Sequence, residues 1–195
     1  MSLRIHLHPH DPGHHEGQGV RVLRGGTISG ALIEVLPDVL CLPRLLHSVS
    51  GRAQILSHHV KPSSIVCRTT ALWLWTAHGV AAPIHVMSQR RDYRYRETVT
   101  HLVRPVDRPV RCTEKVFVTS RAETLYDLAR TVENDREFMR YAYVLLQAGT
   151  HLNDARELWL RHPHKHGNIR CSRRFEELSY KPTAKHYKKG NLATI

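Results

Sequence analysis

Apolar residues along this chain recur at spacings of two in some stretches and of three and four in others, and the two patterns take turns through its middle. Residues 31–42, A-L-I-E-V-L-P-D-V-L-C-L, predict two short strands around Pro37-Asp38, which suits a turn, with Leu32, Val35, Val39, Cys41 and Leu42 as apolar flanks. Residues 45–60 set Leu45, Leu46, Val49, Ala53, Leu56 and Val60 at near-helical spacing, with Gly51 in the middle. Ile65, Val66 and Cys67 predict a buried strand, and a helix follows from Arg68 to His78, closed by Gly79 in the left-handed region. Ala71, Leu72, Trp73, Leu74 and Trp75 make that helix apolar nearly all round, which predicts a central place for it. Its tryptophans could stack on bases, but among leucines they read better as core. His78, at the helix end, suits a cation favoured by the dipole.

Further strands are expected at 84–87, 98–104 and 110–118, then helices at 120–132, at 137–148 with Gly149 as its stop, and at about 150–160, capped by Thr150 or Asn153. The whole predicts an α/β (α+β) fold: a mixed sheet with helices packed against it, a wing-like N-terminal hairpin and a basic C-terminal tail. The expected divisions are a flexible His- and Gly-rich arm over 1–30, an α/β domain over 31–160 and the tail over 161–195.

The clearest junction is 116–130, V-F-V-T-S-R-A-E-T-L-Y-D-L-A-R. Val116, Phe117 and Val118 suit a pleated, half-buried surface. Ser120, followed three residues later by Glu123, has the spacing of a capping box, so the helix starts there. Ala122, Leu125, Leu128, Ala129 and Val132 give it one apolar face, and Asp127 lies off that stripe.

At Thr119, Ser120, Thr124, Asp127, Leu128 and Ala129 the chain resembles the AbiEi-type antitoxins of type IV toxin-antitoxin and abortive-infection systems, where a strand runs into T-S-x-x-R-T-x-x-D-L-A. Glu123 stands where that pattern has arginine. A second likeness covers 66–79, V-C-R-T-T-A-L-W-L-W-T-A-H-G, with Pro83 and the strand at 84–86 after it. The resemblance implies a DNA-binding transcriptional regulator of a toxin-antitoxin or phage-defence operon, with a cognate toxin as a possible protein partner. It marks Thr119, Ser120, Thr124 and Asp127 as family-motif positions. It also makes the hairpin at 31–42 the wing of a winged helix-turn-helix, yet only about thirty residues precede that hairpin, so the helix-turn-helix is expected to be reduced or missing.

Charge sharpens the picture. The 195 residues carry a formal +12, which favours an anionic polymer as partner, nucleic acid before membrane. Cys41, Cys67, Cys112 and Cys171 form no C-x-x-C, so neither a zinc ribbon nor a redox pair is expected, and a reduced cytoplasm fits. The start, M-S-L-R-I-H-L-H-P-H, breaks up any signal core, and no apolar run approaches the ~20 residues of a membrane helix. His6, His8, His10, His14 and His15 could ligate metal, but they read better as a polar terminus without a closed ligand set.

Two stretches are candidates for nucleic-acid contact. Within 88–97, Arg90, Arg91, Arg94 and Arg96 suit phosphates, and Tyr93 and Tyr95 suit stacking on bases or on arginine planes. The same stretch also reads as a solvated edge strand guarded by arginines. From 161 onward nine lysines and arginines against two glutamates leave +7. Arg170, Arg173, Arg174, Lys185, Lys188 and Lys189, interleaved with Phe175, Tyr180 and Tyr187, suit phosphate tracking; a solubilising tail is the other reading.

Catalytic templates are missing. There is no E-x-K or D-x-K triplet, no D-x-D pair, no phosphate loop, no G-x-S-x-G and no H-E-x-x-H. Asp127 with His101 or Asp107 is the one candidate acid-base group, and a buried salt bridge explains Asp127 equally well. The expected function is therefore non-enzymatic nucleic-acid binding, with no catalytic residue, metal ligand or cofactor assigned. The alternatives are a protein-interaction module that neutralises a partner toxin and, behind it, a metal-dependent nuclease.

Overall fold

The computed structural model describes residues 3–6, 20–23, 33–36, 39–89, 98–102, 110–164 and 166–180. The first of these form β1 (Leu3–His6), β2 (Val20–Leu23), β3 (Ile33–Leu36) and β4 (Val39–Cys41), joined in a four-stranded sheet of order β2-β1-β4-β3. The β3–β4 hairpin predicted around Pro37-Asp38 is there, with a register shift between Glu34 and Leu36. β1 pairs antiparallel with β2 and parallel with β4. The N-terminal arm is thus not featureless. L-R-I-H alternates apolar with polar, and V-R-V-L does so over its first three residues, the signal of a strand, although His, Gly and Pro dominate the residues between them.

A corner follows: α1 (Pro43–Leu46), then α2 (Val49–Ser57) capped by the Ser48 hydroxyl, which accepts from the Gly51 N–H. Then come β5 (Ile65–Val66), α3 (Arg68–Thr76), β6 (Ile84–Ser88), β7 (Thr98–Leu102), β8 (Val110–Thr113) and β9 (Val116–Thr119). These five strands form a mixed sheet of order β7-β6-β5-β9-β8, in which β5–β9 and β6–β7 are parallel and β5–β6 and β8–β9 antiparallel. The single strand expected over 110–118 is instead a hairpin. Glu114 and Lys115 both take positive φ (48° and 61°), the conformation of a two-residue hairpin turn, but neither is the Gly or Asn that announces one.

Four further helices follow among the described residues: α4 (Arg121–Thr131), α5 (Asp135–Gln147), α6 (Leu152–Arg161) and α7 (Asn168–Tyr180). The fold is mixed α/β, with helices packed against the sheet, as the periodicities predict. One core joins α1–α3 to both sheets through Leu36, Cys41, Ile55, Leu74, Val86 and Val118. A second lies among α3–α7 and includes Leu72, Leu125, Leu128, Phe138, Leu145 and Phe175. α3 serves both, with Trp73 and Leu74 turned to the first and Leu72 to the second, which is why its sequence is apolar all round. α4 packs against α3, α5, α6 and α7, and so stands at the centre of the helical layer.

Three terminal expectations change. Gly79 takes the expected left-handed φ (83°), but α3 ends earlier, at Ala77, which is itself left-handed (φ 59°). At His78, burial and then the charge of Arg140 lower the pKa, the opposite of what a dipole-stabilised cation would show. The basic tail begins later than 161, since α7 buries Cys171, Arg174, Phe175 and Leu178 and belongs to the core.

Candidate functional site

The strand-to-helix junction at 116–130 is built from the residues that the sequence singled out. Ser120 Oγ accepts from the Glu123 N–H at 3.1 Å and starts α4. Thr119 Oγ1 meets Thr124 Oγ1 at 2.8 Å, while Thr124 donates to the Ser120 carbonyl at 2.8 Å. Trp75 Nε1 donates to the Thr119 carbonyl at 2.9 Å and ties α3 to the same turn. Thr119, Thr124 and Asp127 are all buried, and the two threonines hold the junction from inside. Ser120 alone is partly exposed, at the mouth of a cleft.

Asp127 is 2% exposed and accepts from Arg130 Nη2 at 3.4 Å, an ion pair within α4. His101, the proposed acid-base partner, is instead committed elsewhere: its Nε2 lies 3.0 Å from Nδ1 of His85 on the neighbouring strand. Asp107 lies outside the described residues. Among those residues no group of three or more His, Cys, Asp or Glu is placed to hold a metal ion. Cys41, Cys67 and Cys171 are buried thiols, and desolvation raises Cys41 to about 11 and Cys171 to about 12. No described helix is long and apolar enough to cross a membrane.

The histidine pair gives the fold an acid-sensitive point. Burial and the Arg68 charge lower the pKa of His85, and burial, Arg68 and His85 together take His101 down to about 4. An unfolded imidazole titrates near 6.5, so below that pH the unfolded chain takes up protons that the folded pair resists. Stability is then fully present above about pH 6.5 and declines as pH falls toward the folded pKa. His101→Gln is expected to remove roughly 1–2 kcal/mol of that decline, discounted for its partial exposure. Urea melts of both proteins between pH 7 and 4 check this, and parallel pH profiles would contradict it.

Of the candidate nucleic-acid contacts, Arg170, Arg173 and Arg174 fall within described residues, all on α7. Arg173 is exposed on its outer side and pairs with Asp135 at 2.6 Å. Arg170 is exposed too, and its Nη1 donates to the Val132 carbonyl at 3.3 Å. Arg174 must be withdrawn from the candidate set. It is 1% exposed, donates to the carbonyls of Ala129, Val132 and Glu133 and to Asp135 Oδ1, and lies over the Phe138 ring at 4.6 Å. No phosphate can reach it. Arg90, Arg91, Tyr93, Arg94, Tyr95, Arg96, Lys185, Lys188 and Lys189 lie outside the described residues.

A cleft of about 600 Å³ that the sequence did not announce opens beside the junction. The start of α4 gives it Ser120 and Arg121, the end of α5 gives Gly149 and Thr150, and α6 gives Asp154, Glu157 and Arg161 from one face. The Arg121 guanidinium carbon stands 5.2 Å from the centroid of Trp75, also in the lining. The α6 side was legible in hindsight, since His151, Asp154, Glu157, Leu158 and Arg161 follow a helical stripe that is not apolar. Nothing local tells a reader that this stripe faces Arg121, thirty residues earlier.

Fold and site define a basic, mixed α/β protein with a buried strand-to-helix junction beside a polar cleft. Compared with models of known protein families, with curated proteins and with solved structures, the chain matches none.

Proposed function

We propose that this chain is an antitoxin-like nucleic-acid-binding protein, most simply a DNA-binding transcriptional regulator of a toxin-antitoxin or phage-defence operon. The observation that carries the nucleic-acid part is the charge of +12 over 195 residues. The described part of α7 adds Arg170 and Arg173 on its exposed side, and the remaining basic groups come from 90–96 and from Lys185, Lys188 and Lys189. The antitoxin part rests on the resemblance at Thr119, Ser120, Thr124 and Asp127.

The test is a salt titration of binding to duplex DNA, single-stranded DNA and RNA, with the whole chain and with a chain ending at Tyr180, which keeps α7. Each duplex phosphate that is no longer neutralised should flatten log K against log salt by about 0.9. The shorter chain, without Lys181, Lys185, Lys188 and Lys189, is expected to bind with a slope shallower by about 2 or more. Arg91→Glu with Arg94→Glu should weaken all sequences alike. Binding to none of the three polymers at moderate salt would remove the proposal.

A second reading has its own observation. Leu160, Ile169 and Tyr180 are exposed at 65%, 92% and 85%, and the first two line a shallow groove with Trp159 and Pro163. Such a patch suits a protein partner, which in an antitoxin would be its cognate toxin. Capture of a neighbouring toxin that the uncharged change Ile169→Ser abolishes would favour this reading; nucleic-acid binding should be nearly indifferent to that change.

A further inference from the structure

The cleft beside the junction has a polarity that a featureless surface groove would lack. At its inner end, Thr150 is only 7% exposed and its Oγ1 has no hydrogen-bond partner among the described residues. The Nε–H of Arg121 is buried nearby and likewise without a partner. A hydroxyl and a guanidinium N–H so placed carry a desolvation penalty unless something polar meets them. The ten-residue α6 starts beside them with His151 as N-cap and no side-chain cap bond, which leaves first-turn N–H groups at the positive end of that helix. Three kinds of donor thus converge from different elements. Acidic groups line the same cleft, and one of them, Asp154, lies in the first turn of α6 itself. Asp154 and Glu157 are exposed acceptors, and Glu157 holds Arg161 in a surface pair at 3.2 Å that is weak enough to open.

We propose that this cleft binds a phosphomonoester, with the phosphate against Arg121 and Thr150, and the hydroxyl or amino groups of a nucleoside toward Asp154, in the first turn of α6, and Glu157. A tetrahedral anion offers enough acceptor oxygens for a guanidinium and a hydroxyl at once. A cleft of about 600 Å³ has room for a whole nucleotide behind that anion. Asp154 and Glu157 repel phosphate, so the cleft favours a single terminal phosphate held by Arg121 over a polyphosphate or the running backbone of a strand. This goes beyond the charge-based reading of the surface. The same chemistry has two sources, a free mononucleotide or the 5′-phosphate end of a strand.

The experiment titrates the full chain, by calorimetry and by tryptophan emission because Arg121 covers Trp75, with AMP, adenosine, inorganic phosphate, and a short single strand bearing either a 5′-phosphate or a 5′-hydroxyl. AMP is expected to bind at least about tenfold more tightly than adenosine, and inorganic phosphate to compete with it. Arg121→Gln should weaken AMP about tenfold or more, and Thr150→Val about threefold to tenfold, while Thr150→Ser keeps binding near wild type. Arg136→Gln, on the exposed side of α5, should change nothing. If the phosphorylated strand outbinds its 5′-hydroxyl twin in wild type and loses that advantage in Arg121→Gln, the occupant is a strand end; if AMP binds and the twins are equal, it is a free nucleotide. Equal binding of AMP and adenosine, or wild-type AMP affinity in both Arg121→Gln and Thr150→Val, overturns the proposal. Should Arg121→Gln fail to fold, the contrast between Thr150→Val and Thr150→Ser decides alone. Salt-steep binding of 5′-hydroxyl strands that survives Arg121→Gln would leave the surface reading standing even where the cleft proposal falls.

Discussion

Arg174→Ala is expected to lower the unfolding free energy by about 3–5 kcal/mol, the range seen when one member of a buried charged network is removed. The reason lies in how many groups this one side chain serves. Nη1 donates to the carbonyls of Ala129 and Val132 at 2.9 and 2.7 Å, at the C-terminal end of α4, and Nη2 reaches the Glu133 carbonyl at 3.2 Å. Nε and Nη2 both reach Asp135 Oδ1, at 2.8 and 2.6 Å, in the first turn of α5. Alanine would strand helix-end carbonyls that no longer have a donor, leave Asp135 to Arg173, and empty the space over Phe138. Arg174→Lys keeps the charge but not the planar fork, and about half of the loss is expected to remain. Against a typical total of about 5–15 kcal/mol, the alanine variant would be marginal. Urea denaturation followed by far-UV circular dichroism checks this, and a change of less than about 1 kcal/mol would contradict the packing of α7 against α4 and α5. The functional corollary separates two neighbours. Arg174→Lys should leave the salt slope of nucleic-acid binding unchanged, whereas Arg173→Gln should make it shallower by about 0.9 if that residue meets a duplex phosphate.

Asp135 adds an acid limb to the same network. Its pKa is held below the ordinary carboxylate value, first by the hydrogen bond from Arg174 and then by the charges of Arg174, Arg173 and Arg170, against an opposing desolvation effect. The stability from this pairing is present above the unfolded carboxylate pKa and is lost as pH falls through the lower folded one. It therefore fails at more acid pH than the His85–His101 pair does.

Arg174 also shows where sequence reading stops. Two adjacent arginines, Arg173 and Arg174, in a basic stretch look alike; only the angle of about 100° between successive positions on a helix sends one outward and the other into the core. The pattern was available in part, because Cys171, Phe175 and Leu178 recur at spacings of four and three and mark an apolar stripe that Arg174 borders. The charge of this stretch masks its periodicity, and a core helix resembles a tail. At the junction the opposite holds. Ser120 and Glu123 are a local signal, and local signals survive because cap and capped N–H are fixed by three residues of chain. Arg52 repeats the lesson of Arg174: its position in α2 says nothing of its burial at 4% or of the bonds it makes to the carbonyls of Leu46 and, at 2.8 Å, Leu74. The cleft was illegible for the same reason. Arg121, Thr150 and Trp75 come together only because α3, α4, α5 and α6 pack as they do, and no spacing along the chain encodes that.

Gly51→Ala is expected to destabilise the protein by about 2–3 kcal/mol, the reverse of its ordinary effect inside a helix, where alanine gains roughly 1 kcal/mol over glycine. Gly51 lies in the first turn of α2, and its N–H is held by the Ser48 cap. A Cβ built there would sit 2.3 Å from the Leu45 carbonyl oxygen and 2.9 Å from the Leu45 carbonyl carbon and Cα, all backbone atoms. A flexible side chain could swing away, but the backbone of α1 cannot, so the α1–α2 corner would have to open. That corner carries Leu45 into the core that Leu36, Val39 and Cys41 share with Val86 and Val118, so its opening would loosen the four-stranded sheet from the five-stranded one. From sequence alone Gly51 looks like a defect in the middle of one long helix; in the fold, the missing side chain lets two short helices meet. Ser50→Ala, its neighbour on the exposed side, loses the bond to Glu114 Oε1 and should cost less than about 1 kcal/mol. Thermal melts of the two variants, with hydrogen exchange read across β3 and β4, form the check. Faster exchange there in Gly51→Ala is the expected result, whereas a neutral or stabilised Gly51→Ala would mean that α1 does not pack on α2 in this way.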